Sequence, residues 1–77
     1  MFEYTICTAP DEEIFYKQCK ALEKNIPNLE KDYFLTDVDS SLLQAYKLND
    51  KEIRVYNDVQ LGWVWIKSEV ELEQFFK

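Results

Sequence analysis

The side chains able to do chemistry in this chain are two cysteines, Cys7 and Cys19, fifteen carboxylates, nine cations and twelve aromatic rings; histidine is absent. Lack of histidine removes the common general base, the common metal ligand and the usual nucleophilic triads together. A cysteine nucleophile needs another activating group that favours the thiolate, and neither Cys7 nor Cys19 sits in an obvious electropositive setting. They form no metal-binding spacing and read as packed, reduced thiols; whether they pair is not decided by spacing. One glycine cannot build a phosphate-cradling loop. These exclusions favour a protein that is not an enzyme and carries no cofactor or metal.

Three local groups of carboxylates stand out. Asp11, Glu12 and Glu13, and again Glu69, Glu71 and Glu73, stand where helix starts are expected, and the positive end of the helix dipole accounts for them. Asp37, Asp39 and Ser41 resemble the opening of a calcium loop, but no glycine follows at the sixth position and Leu48 occupies the place of the bidentate glutamate. That segment reads instead as a polar turn. Tyr56, Trp63 and Trp65 are more informative. The two tryptophans share one strand face, so they either fill the core or stand together on the surface as a binding hot spot. Candidate partner-binding residues are therefore Trp63, Trp65 and Tyr56, with Asp37, Asp39 and Asp58 as acids beside them.

The elements that would position these residues follow from hydrophobic spacing. Phe2, Tyr4 and Ile6 alternate with polar neighbours, giving a first strand with one apolar face. Thr8 to Glu13 is a helix start, with Thr8 as the cap of a capping box and Pro10 in the first turn. Phe15, Cys19, Leu22 and Ile26, widened by Ile14, form the buried stripe of a helix running to about Lys24, and Asn25 to Asn28 ends it. Tyr33 to Leu35 is a short strand, and Thr36 to Ser41 a turn. Leu42 to Leu48 and Glu52 to Asn57 are strands of a hairpin turning at Asn49-Asp50. A helix over Leu42, Ala45 and Tyr46 is the rival, but seven residues suit a strand better. Gly62 marks a backbone position that a Cβ would strain, and Trp63 to Ile66 is the last strand. Ser68 with Glu71 forms a second capping box for a closing helix with Leu72, Phe75 and Phe76 on its apolar side. The fold class is α+β, in the order β-α-β-β-β-β-α, with a mainly antiparallel sheet and helices on one face.

Residues 1–77 have room for one small domain. Such a chain buries only about three fifths of its unfolded surface, and an aromatic content of 16% strengthens a limited core. The formal net charge of −6 argues against nucleic acid, whose phosphates demand clustered cations. No stretch reaches the roughly 20 apolar residues of a membrane helix, and no basic start with an apolar run follows Met1, so a cytoplasmic protein without membrane association is expected. The expected function is a small acidic protein-binding module, an inhibitor or immunity-type protein that covers a basic surface of a larger protein. The alternative is a self-associating domain, a homo-oligomer joined through the tryptophan strand or a free sheet edge, with a small enzyme using Cys19 or carboxylates in a pocket a distant third.

Overall fold

The computed structural model describes residues 2–9 and 11–75. Five strands and one helix follow in order: β1 (Phe2–Cys7), α1 (Glu12–Asn25), β2 (Glu30–Thr36), β3 (Leu42–Leu48), β4 (Lys51–Asp58) and β5 (Trp63–Ser68). The strands form a single sheet in the order β1-β5-β4-β3-β2, with every neighbouring pair antiparallel. After β1 the chain crosses through α1 to the far edge, then returns hairpin by hairpin until β5 meets β1. This is the expected α+β architecture, with the helix on one face. No helix among the described residues is long and apolar enough to cross a membrane.

The helical stripe folds as its spacing predicts. Phe15, Cys19, Leu22 and Ile26 are buried against Tyr46, Ile53, Val55, Val64 and Ile66, and Leu72 joins the same core. Burying an aliphatic or phenyl side chain of this size contributes about 1.5–3 kcal/mol. At the helix start the cap is Asp11, not Thr8: its Oδ1 accepts a hydrogen bond from the Ile14 N–H at 3.1 Å. Asp11 also donates its own N–H to Asn57 Oδ1 at 3.1 Å, which fastens the helix start to β4. Asp is as good a cap as Thr, and here it gains a tertiary partner as well. Pro10 lies outside the described residues.

Three further expectations are corrected. The order expected a closing helix, but the described chain ends in one turn of 3-10 helix, Glu73–Phe75. Ser68, the expected cap, is fully buried and bonds Val70 in both directions, accepting from its N–H at 2.9 Å and donating to its carbonyl at 2.6 Å. That tight turn absorbs the cap; Phe76 is outside the described residues. In β1, Thr5 pairs with Trp65 and Cys7 with Val64, so Ile6 is an extra bulged residue. Cys7 therefore packs against the core, while Ile6 is left 39% exposed in a groove with Gln18 and Ala21 of α1. Finally, β2 extends back to Glu30, because ladder hydrogen bonds to β3 do not require apolar side chains on an exposed edge.

The β3–β4 turn is legible down to its dihedrals. Asn49 and Asp50 adopt φ of 51° and 67°, the left-handed pair that a two-residue hairpin needs. Gly62 has φ of 77°, and a Cβ there would meet nothing within 4 Å, so the dihedral and not crowding selects glycine.

Candidate partner-binding face

Because β5 buries Val64 and Ile66, period two turns Trp63 and Trp65 to the sheet face opposite the helix. The core alternative for these tryptophans is thereby removed: Trp63 is 47% exposed and Trp65 half-buried. Register then builds a row across all five strands. Thr5 stands opposite Trp65, Trp65 opposite Tyr56, Tyr56 opposite Leu43, and Leu43 opposite Leu35. At its centre the rings of Tyr56 and Trp65 stack 4.4 Å apart and 11° from parallel. Along β4, Arg54 pairs with Glu52 and donates from Nη1 to the Tyr56 hydroxyl at 3.4 Å. The aromatic pair is thus held from the side by an ion-paired guanidinium.

The acids gather at one end of this row. Asp37, Asp39 and Asp58 line a groove of about 270 Å³ together with Leu35, Leu43 and Tyr56. Asp58 also faces Trp63 across the β4–β5 ladder. Each carboxylate has a local structural task. Asp37 Oδ1 accepts from the Val38 N–H at 2.7 Å, Asp39 Oδ1 from Ser41 at 3.0 Å, and Asp58 Oδ1 from Leu61 at 2.9 Å. The Ser41 backbone bond, helped by the Ser41 hydroxyl, holds the Asp39 carboxyl below the usual range, so it stays ionised. The Ser41 hydroxyl accepts from the Val59 N–H at 3.0 Å and ties the two turns together. The calcium-like segment is closed as a turn, with Asp37 N–H donating to the Ser41 carbonyl at 2.9 Å.

Four of the six residues singled out in the sequence, Asp37, Asp39, Tyr56 and Asp58, share this groove, and Trp63 and Trp65 adjoin it through their pairing with Asp58 and Tyr56. Two apolar members were missed, Leu35 and Leu43. Each alternates correctly within its own strand, but only the β2–β3 register brings them beside Tyr56. At the opposite end, Lys47, Arg54 and Lys67 share a groove with Asp50, Glu52 and Glu69. The two signs balance there, so the acidic bias of the face lies at the Asp37–Asp58 end.

The thiols sit elsewhere. Cys19 is buried on α1, and burial pushes its thiol up, which keeps it protonated. Cys7 is half-buried on β1, and both are free. Among the described residues, no three His, Cys, Asp or Glu side chains are grouped to hold a metal ion. Comparison with protein-family models, curated proteins and solved structures finds no match.

Proposed function

We propose that this chain is a small acidic protein-binding module that covers a basic surface of a larger protein, as an inhibitor or immunity-type protein does. The observation that carries the reading is the helix-free sheet face. It presents a stacked Tyr56–Trp65 pair, an exposed Trp63 and an apolar Leu35–Leu43 floor, with three carboxylates at one end. Aromatic anchors beside a charged rim are the composition of an interface hot spot. With a net charge of −6, association with a cationic surface gains from long-range steering.

The test is affinity capture with the full chain at low and high salt, followed by mass spectrometry. One stoichiometric partner with a basic contact surface is expected, recovered less well as salt rises and lost with Trp63→Ala or Trp65→Ala. A partner retained equally by wild type and both variants would place binding elsewhere, and recovery of none at either salt would count against the module itself. Sedimentation at several concentrations separates the self-associating alternative, which requires a mass that grows with concentration.

A further inference from the structure

Strand β2 is an edge of the sheet: among the described residues it pairs with β3 alone, and all seven of its residues are exposed. Edges of this kind are ordinarily blunted by charge, by a bulge or by a covering element. The first half of β2 follows that rule. Glu30, Lys31 and Asp32 are charged, and the register with β3 breaks between Lys31 and Phe34, where β2 carries one extra residue. The second half does not. Tyr33, Phe34, Leu35 and Thr36 carry no charge, and three of them are large apolar side chains left 36–55% exposed.

Both sides of this half are shaped to receive side chains. Toward the helix, Phe34 lies 6.4 Å from Phe15 and lines a groove of about 320 Å³ with Tyr16 and Tyr46. Toward the open face, Leu35 belongs to the groove containing Asp37 and Asp39. A strand added beside β2 would lie about 4.8 Å away and send alternate side chains to the two faces. Its helix-side residues would meet Phe34, and its open-face residues Leu35. At the Thr36 end it would run past the Asp37 and Asp39 carboxylates.

We propose that β2 captures an extended apolar segment of the partner as a sixth strand, with lysine or arginine at the end beside Asp37 and Asp39. This rests on the protein-binding reading and specifies its mode. Charge selects this occupant over a second copy: two copies paired through β2 would bring together two chains of net charge −6, each with Asp37 and Asp39 in the turn that follows the strand.

The experiment is a titration of the isotope-labelled full chain, followed by amide chemical shifts, with a blocked hexapeptide of alternating valine and threonine ending in two lysines. Saturating shifts at Tyr33–Thr36 are expected by about 1 mM peptide. A peptide with every backbone amide N-methylated should cause none, and one ending in two glutamates should bind at least several-fold more weakly. Phe34→Lys, a surface change whose fold is checked by circular dichroism, should abolish the shifts. Shifts confined to Tyr56, Trp63 and Trp65 would overturn strand addition while leaving the open-face reading standing. Equal binding of the N-methylated peptide, or no shift anywhere, would likewise overturn it, with the capture experiment deciding the broader reading separately. Slowed tumbling of the chain alone, with the same β2 amides broadened, would assign the edge to a second copy instead.

Discussion

Replacing Trp65 by alanine removes one ring of the stack that organises the helix-free face, and its effect can be sized from geometry. The two rings sit on directly opposed residues of β4 and β5, 4.4 Å apart and 11° from parallel. Aromatic pairs in such arrangements contribute ~0.5–1.5 kcal/mol beyond the area they bury. Cross-strand pairs measured against alanine contribute ~0.2–1 kcal/mol. These describe overlapping effects, so the coupling between Tyr56 and Trp65 is about 1 kcal/mol. Trp65 supplies no polar anchor of its own, since its Nε1–H is buried without a hydrogen-bond partner among the described residues. The assay is a double-mutant cycle of Tyr56→Ala, Trp65→Ala and the pair, using urea denaturation followed by far-ultraviolet circular dichroism. Each single variant should lose ~1–2 kcal/mol, and the double should lose about 1 kcal/mol less than their sum. In a chain of this size each kcal/mol corresponds to a Tm change of about 4–8 °C. Additivity to within ~0.3 kcal/mol would show that the rings do not hold each other in solution. The face would then not be a preformed docking surface.

Tyr46 is fully buried and donates from its hydroxyl to Glu23 Oε2 at 2.6 Å. Tyr46→Phe should cost about 1 kcal/mol, the low side for a charged acceptor, because the Glu23 side chain is 37% exposed and regains water. Burial first, then the Glu23 bond, pushes the Tyr46 phenol above its ordinary value. The folded chain therefore keeps a proton that the unfolded chain loses near pH 10. This contribution is fully present below about pH 10 and lost above it, and urea titrations on both sides should show a shallower alkaline fall in the phenylalanine variant. The Asp39 carboxyl is held low by Ser41, so its contribution is present above about pH 4 and lost as the pH falls further. Asp39→Asn should flatten that acid limb, and identical limbs in the two proteins would refute the assignment. Gly62→Ala should cost about 1 kcal/mol through its φ of 77° alone, and Gly62→Asn less. An unchanged melting temperature in the alanine variant would contradict that backbone conformation.

Local patterns in the chain already determine much of this molecule. The Phe15–Cys19–Leu22–Ile26 stripe specifies a helix and its buried face, because a 3.6-residue period leaves those positions one side of a cylinder. Asn49-Asp50 specifies a hairpin, because few residue pairs accept two consecutive left-handed dihedrals. Absence of histidine and a net charge of −6 narrow the chemistry before any folding is considered. Wherever two distant segments compete for one position, sequence falls silent. Asp11 displaces Thr8 as helix cap in a setting where Asn57 is at hand, and Cys7 packs against the core because β5 pairs around a bulge. Whether Trp63 and Trp65 are core or surface depends on which neighbours the sheet buries, and only packing of Val64 and Ile66 beneath α1 decides it. The joining of Asp37, Asp39 and Asp58 with Leu35 and Tyr56 in one groove is likewise a product of strand register. Periodicity is a property of a few consecutive residues, whereas register is a choice among pairings whose energies differ only once the whole sheet is assembled.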